Sequence, residues 1–200
     1  MGETELSIIE AAKKIFVQKG FAAARMQEIA DEAGINKALL HYYFRSKDKL
    51  YRVIVSETIG MVLPRLAEAI NFDGSVEEKI NMIVETYIDT ITENPHMPTF
   101  MMMELAQKRV GFIEEIKKNT STLPNFQDFF MKVMMEGNEG KIRKVNPIHL
   151  LINTLAMCIF PFLIRPIFTV VVEVPDEQFD HVLTERKEEV KSFIRNSLRP

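Results

Sequence analysis

The sequence predicts an all-α protein, with a small N-terminal unit followed by a larger helical bundle. Almost every segment places its apolar residues at helical spacing, and only residues 167–174 alternate over a short stretch. Glycines, prolines and capping residues divide the chain into about nine helices, without an internal repeat or a low-complexity tail. We expect the two units to be residues 1–46 and 47–200.

The first three predicted helices are short and lie close together. The first covers residues 5–19 and ends at Gly20, because glycine readily adopts a backbone with positive φ. The second covers residues 26–33. After the turn Gly34-Ile35-Asn36, the third covers residues 37–44, with Asn36 as its N-cap.

Longer helices are predicted after Ser46, which is a suitable N-cap. The next helix should run to about Ala69 and tolerate or bend at Pro64. Ser75 and Glu78 form a capping box that opens a helix over residues 76–92. The remaining predicted helices cover residues 98–107, 111–119, 125–136, 148–164 and 177–198. We expect a turn at residues 137–140, and a bend or end at Pro161.

Composition describes an ordinary globular chain whose positive charge lies near its N-terminus. The 200 residues are 46% hydrophobic and 26% charged, with a net charge of −3. Residues 1–52 nevertheless carry a balance of +2, and residues 37–52 hold five basic side chains and one acidic one. This distribution allows a local nucleic-acid-binding patch, although a solvated helix face is an alternative explanation.

Three observations favour a soluble cytoplasmic protein with no membrane span. Cys158 is the only cysteine and lies in an apolar run, which is typical of a buried thiol in a reducing compartment. The first five residues include acidic Glu3 and Glu5, where a signal peptide would have basic residues. Polar residues and two prolines interrupt the apolar stretch 148–172, so we interpret it as a buried helix.

The second and third predicted helices have the properties of a helix-turn-helix. Ala30, Ala33 and Gly34 are small enough to allow two helices to cross closely, while Leu40 and Phe44 lie four residues apart on the inward face. The outward face of the third helix then carries Lys37, Ala38, His41, Tyr42 and Arg45.

Such a face could enter the major groove of DNA. Lysine reads guanine acceptors there, and alanine contacts a thymine methyl group, which gives roles to Lys37 and Ala38. Tyr42, Tyr43 and Lys47 have the reach to bond phosphates. The alternative is a plain α-hairpin that binds no nucleic acid.

The motif resembles the N-terminal domain of the tetracycline-repressor (TetR) family. The resemblance rests on the run Ile8-Ile9-x-Ala11-Ala12-x-x-Ile15-Phe16-x-x-x-Gly20-Phe21, then Ile29-Ala30-x-x-Ala33-Gly34-Ile35, then Leu40-His41-Tyr42-Tyr43-Phe44-x-Ser46-Lys47-x-x-Leu50. It covers about the first quarter of the chain. It implies a homodimeric bacterial transcription regulator, usually a repressor, that leaves its operator when a small molecule binds the C-terminal domain.

The resemblance also assigns residues. The DNA-binding positions that it implies, together with the capping Asn36, are Arg25, Gln27, Asn36, Lys37, Ala38, His41, Tyr42, Tyr43 and Lys47. The chain departs from the family pattern at Ala24-Arg25, where a Thr/Ser pair is usual, and at Leu39 and His41, where Ser/Thr and Tyr are common. An operator sequence therefore cannot be transferred from the family.

Methionine and phenylalanine are concentrated between residues 97 and 135, where they could line an adaptable apolar pocket or simply form core. The residues predicted to bind an effector are Tyr87, Met101, Glu104, Phe126, Phe130 and Asn153. The four histidines are scattered and His149 and Cys158 are isolated, so we expect no metal site and no cofactor.

The segment 148–164 is apolar nearly all round, so it needs cover from its own domain and from a second copy of the chain. Together with residues 177–198 it could form a four-helix interface with twofold symmetry. A homodimer would place two reading helices about one turn of DNA apart on a pseudo-palindrome. There are two rival hypotheses. One is a helical adaptor that binds no DNA. The other is an enzyme, although the sequence contains no catalytic motif.

Overall fold

The computed structural model of the chain describes residues 2–106, 110–118 and 123–200. Within those ranges it contains ten α-helices, one π-helical turn and no strand, which confirms the all-α prediction. The helices are α1 (Glu3–Ala23), α2 (Met26–Glu32), α3 (Lys37–Tyr43), α4 (Lys47–Asn71), α5 (Val76–Glu93), α6 (Met97–Ala106), α7 (Val110–Lys118), α8 (Phe126–Asn138), α9 (Pro147–Pro166) and α10 (Asp176–Leu198), with the π-helical turn Ile167–Val171 after α9. The predicted helix ends at residues 107 and 119 lie outside the described residues.

The first compact unit comprises the described residues of 1–61 and 96–120. Its core comes from α1 to α4, where Ile8, Ala12, Ile29, Leu40 and Leu50 are completely buried. Burial of these apolar side chains provides most of the free energy that holds α1 to α4 together.

Helices α6 and α7 also belong to this first unit, so the contacts divide the chain elsewhere than at the expected boundary between residues 46 and 47. The physical reason is a buried contact between α4 and α6. The Tyr51 hydroxyl donates a hydrogen bond to the Glu104 carboxylate, and the Phe100 ring lies 6.1 Å from the Tyr51 ring. The functional division into 1–46 and 47–200 stays a prediction.

The second unit comprises residues 62–95 and the described residues of 121–200. Its core is a single cluster from α4, α5, α8, α9 and α10, which includes Ile83, Phe129, Cys158 and Ile194. One buried charged side chain is hydrogen-bonded to a helix end. The Lys79 ammonium donates to the carbonyls of Ile70 and Phe72 at the end of α4, which satisfies acceptors that the helix leaves open.

Helix α8 ends later than predicted. The expected turn at 137–140 begins only after Asn138, because Gly137 continues the helix and Gly140 has the positive φ of 72°. The Lys141 N–H then donates to the Glu136 carbonyl over 3.0 Å, which is the hydrogen bond of a glycine-ended helix.

Pro161 neither ends α9 nor leaves its backbone unsatisfied. A proline at this position removes the N–H that would bond the Met157 carbonyl four residues earlier. The Arg186 guanidinium of α10 replaces it, with Nε and Nη2 each 3.0 Å from that carbonyl oxygen. Helix α9 therefore continues to Pro166 and passes into the π-helical turn, so the weak strand pattern at 167–174 was misleading.

Only part of the apolar side chains of α10 is buried within the chain. Phe179, Val190 and Ile194 are buried, whereas Val182 and Phe193 are exposed. Helix α9 likewise leaves several large apolar side chains in water, which are Ile148, Ile152 and Phe160. We call these five exposed side chains of α9 and α10 the exposed apolar surface.

The segment Pro147–Val171 is long and apolar enough to cross a membrane, judged only by length and composition. Few of its residues are buried within the chain. One such helix is weak evidence for a membrane span, because helices that pack in cores or interfaces have the same composition.

Candidate nucleic-acid interface

The structure confirms the predicted pair of short helices joined by a glycine turn. Gly34 has φ of 67°, and the Ile35 N–H donates to the Ala30 carbonyl over 3.0 Å, which ends α2. The Asn36 side chain then accepts the Leu39 N–H over 2.8 Å and begins α3. Each signal acts on its neighbours in the chain, which explains why the sequence alone predicted the motif.

The outward face of α3 is open to solvent as expected. Lys37, Ala38, His41 and Tyr42 are exposed, and Tyr42 is 80% exposed. The Tyr42 and Tyr43 rings meet edge to face with 5.5 Å between their centroids. The opposite face buries Leu40 completely, so burial fixes which residues α3 presents outward.

The positive charge of this unit is divided between two regions. The lysines of α1 are neutralised, since Lys14 pairs with Glu32 and Lys19 pairs with Glu28 at 2.8 Å. Five exposed cations near α2, α3 and the start of α4 form no ion pair among the described residues. They are Arg25, Lys37, Arg45, Lys49 and Arg52. These five cations on or beside α2, α3 and the start of α4 would attract a phosphate backbone.

The start of α2 is held by a backbone contact. The Arg25 N–H donates to the Glu28 carboxylate over 3.0 Å. The Lys19 ammonium also donates to this carboxylate, and the hydrogen bonds from Lys19 and from the Arg25 N–H hold the pKa of Glu28 below its usual value. Arg25 therefore caps the helix through its backbone and leaves its side chain exposed. Gln27 is also exposed, but its amide donates to Asp31 over 2.8 Å, so it must exchange this partner to bind DNA.

Lys47, a predicted phosphate contact, is hydrogen-bonded within the chain in this structure, and its DNA contact stays a prediction. Its ammonium donates to three backbone carbonyls at the end of α1 and just after it, those of Phe21 (2.7 Å), Ala22 (3.2 Å) and Ala24 (2.9 Å). It also lies 4.5 Å from the centroid of the Phe21 ring. Nothing in the sequence indicated this contact, because the partners lie at least 23 residues away along the chain.

The residues predicted to bind an effector fall in both units. Met101 and Glu104 belong to the first, where Glu104 is buried and accepts the Tyr51 hydrogen bond. In the second, Tyr87, Phe126 and Phe130 are half-buried and pack against its core cluster. The rings of Phe126 and Phe130 stack with centroids 6.4 Å apart.

The burial of these residues is uneven. Burial raises the pKa of Tyr87 to about 12, so its phenol is a neutral hydrogen-bonding group at physiological pH. Asn153 is exposed, and with His149 and Phe193 it lines a groove on the surface of α9 and α10. Asn153 thus lies in a surface groove, whereas Tyr87, Phe126 and Phe130 pack against the core cluster. No cluster of His, Cys, Asp and Glu in the described ranges could hold a metal ion.

Comparison with known proteins relates this geometry to a family. Residues 8–54 match the family model described as "Bacterial regulatory proteins, tetR family", and this range contains α2, the turn and α3. Over these residues the chain is similar to the regulators of that family.

Similar proteins extend the comparison beyond that segment. The chain is 20% identical over 136 residues to the fatty acid metabolism regulator protein of Bacillus subtilis. The aligned region covers 68% of this chain and 70% of that protein. The ketosteroid regulator KstR2 of Mycobacterium tuberculosis has a TM-score of 0.76 at 13% identity, over 100% of this chain and 97% of that one. FadR of Bacillus subtilis, solved with stearoyl-CoA, has a TM-score of 0.61 at 14% identity, and the match covers 96% of this chain and 98% of that one. These two solved proteins share the helical fold of the described residues.

Proposed function

We propose that this chain binds a pseudo-palindromic DNA operator as a homodimer, represses transcription there, and is released by a small apolar or amphipathic effector. The single observation that carries the DNA-binding part is the exposed face of α3, surrounded by five cations that have no ion-pair partner among the described residues. We place this activity in the bacterial cytoplasm and attribute no catalysis to it.

In this proposal, α3 enters the major groove. The Lys37 ammonium bonds guanine acceptors, the Ala38 methyl contacts a thymine methyl, and His41 and Tyr42 reach neighbouring base edges or phosphates. Arg25 and Tyr43 bind the backbone on either side. Gln27 joins them after leaving Asp31.

The exposed apolar surface of α9 and α10 supports a homodimer. Five large apolar side chains exposed on α9 and α10 are unfavourable in water, and a second copy would cover them with the same residues of its own. Phe193→Asp should therefore produce a monomer in sedimentation equilibrium, whereas Leu6→Asp, an exposed leucine of α1, should leave the dimer intact. A Phe193→Asp chain that still dimerises would contradict this interface.

An acyl-CoA thioester is the first effector class to test. The fatty acid metabolism regulator and the FadR structure solved with stearoyl-CoA both point to a long apolar chain. The aromatic residues Phe126 and Phe130 and the neutral phenol of Tyr87 supply apolar contacts with one polar group, as such pockets require.

Helix α4 supplies the coupling in this proposal. It begins at Lys47, three residues after α3 is capped by Phe44, and continues to Asn71 in the second unit. An effector that binds better when α4 has shifted would lower the population of the DNA-binding state. The effector can shift the equilibrium only by its difference in affinity for the two states.

Selection from a random DNA library tests the proposal directly. Purified protein should enrich a pseudo-palindrome whose half-sites are about 10 base pairs apart. Lys37→Ala should relax base preference at one position of each half-site, while Lys14→Ala, which removes a lysine paired with Glu32, should enrich the wild-type sequence. Equal losses by Lys37→Ala on selected and random DNA would refute its reading role.

Release by effector is tested on the selected duplex. Stearoyl-CoA should raise the apparent dissociation constant, and CoA without the acyl chain should not. An effect of equal size from CoA alone would contradict an apolar effector site.

A further inference from the structure

We propose that Lys47 is a positioning residue that holds the start of α2 against α4, and that it does not contact DNA phosphate. This inference rests on the proposed DNA-binding function, and it gives Lys47 a different task within that function. From the first residue of α4, the Lys47 side chain reaches the last turn of α1 and Ala24, which precedes α2.

Two carbonyl groups at the end of α1 and just after it have no backbone donor. Gly20 has φ of 72° and ψ of 160°, a conformation open essentially to glycine, so the regular helix is interrupted there. Among the described backbone hydrogen bonds beyond regular helix, none ends on the carbonyl of Ala22 or Ala24.

The Lys47 ammonium matches this set of acceptors. A lysine ammonium has three N–H donors and no acceptor, and here three carbonyl oxygens lie 2.7, 3.2 and 2.9 Å from Nζ. The Phe21 ring, 4.5 Å away, adds a cation–π contact on the same charge. A phosphate contact would require at least one of these bonds to break and leave a part-buried carbonyl without a donor.

The position of the reading helix depends on this contact. Ala24 and Arg25 are the two residues that precede α2, and Ile29 and Ala30 of α2 pack in the completely buried core with Leu40 of α3. A lysine that fixes the Ala24 carbonyl relative to α4 therefore fixes α2 and, through this core, the orientation of α3. Losing the Lys47 contact should change how α3 fits DNA without changing how many phosphates the protein neutralises.

The salt dependence of binding separates the two roles. Each phosphate contact contributes about 0.9 to the slope of log affinity against log salt concentration, so its loss lowers the slope by about that amount. We expect Lys47→Met to weaken operator binding about tenfold at every salt concentration, with the slope unchanged, because only orientation is lost. Lys47→Arg, which restores cationic donors, should recover part of the affinity.

Lys49→Met is the matched control. Lys49 is two residues further along α4, exposed, and has no ion pair among the described residues. Its replacement should leave thermal stability and amide exchange in α2 unchanged, whatever it does to the salt slope. Lys47→Met should instead lower the melting temperature and speed amide exchange across Met26–Glu32.

The outcomes are distinct. A salt slope reduced by about 0.9 with unchanged exchange in α2 would overturn the proposal and make Lys47 a phosphate contact. If the wild-type protein binds no DNA, the proposed function fails. The exchange comparison would then still decide whether Lys47 holds α2.

Discussion

Replacing Arg186 with methionine should lower the free energy of unfolding, because Arg186 serves a carbonyl that Pro161 leaves without its helical partner. Both Nε and Nη2 lie 3.0 Å from the Met157 oxygen. A hydrogen bond from a charged donor contributes about 1.5–3 kcal/mol, and Arg186 is half-buried, so we expect a loss near the lower end, about 1.5 kcal/mol.

Restoring the backbone donor should remove most of that loss. Pro161→Ala returns an N–H four residues after Met157, where it can close the regular helical bond. In that background we expect Arg186→Met to cost about 0.5 kcal/mol or less, which gives a coupling energy of about 1 kcal/mol between the two positions. Such coupling would arise from the shared acceptor, since proline has no polar side chain.

Urea unfolding of the four proteins, followed by circular dichroism at one fixed protomer concentration, measures this coupling. Lys187→Met is the control, because the Lys187 ammonium pairs with Asp89 at the surface and should cost the same in both backgrounds. An equal loss from Arg186→Met with proline or alanine at position 161 would refute the reasoning.

Three further predictions concern single residues of the first unit. Gly60→Ala should raise the free energy of unfolding by about 0.4–1 kcal/mol in a urea titration, because Gly60 lies within α4 and an added Cβ meets no atom within 4 Å; a loss of stability would show that α4 needs glycine there. Asn36→Ala should cost about 1 kcal/mol in the same assay through loss of the α3 cap, and an unchanged midpoint would exclude that role. Burial raises the pKa of Glu57, against the opposing charge of Lys13, and one Glu57 carboxylate oxygen is buried without a hydrogen-bond partner among the described residues. The stability that this protonated carboxyl contributes is present below the ordinary glutamate pKa and lost as pH rises through the raised value. Glu57→Gln should therefore be more stable than wild type at pH 7, with the difference closing on acidification; a difference that widens at low pH would contradict the sign.

The helix-turn-helix was predictable because its signals are local. Gly34 and Asn36 act within four residues of themselves, and the burial of Leu40 follows from helical spacing. These short-range effects determined the bounds of α2 and α3 and the identity of the outward face.

The features that the sequence did not reveal all depend on distant residues. Pro161 looked like a break in α9, because its compensating donor, Arg186, comes from the next helix. The carbonyl contacts of Lys47 were not predictable, because the partners lie at the end of a different helix. The apolar pattern of α10 also could not show that Phe193 stays exposed while its neighbour Ile194 is buried, since only the tertiary packing decides this.

Sequence-specific binding by two protomers is the central claim, and one titration tests it most directly. A fluorescent duplex that carries the selected pseudo-palindrome is titrated with protein at about 150 mM salt, beside a shuffled duplex of the same composition. We predict an affinity ratio of at least about 10³ and two protomers per selected duplex at saturation. Equal affinity for both duplexes would show that the exposed cations attract DNA without α3 reading it, and would contradict the proposed regulator.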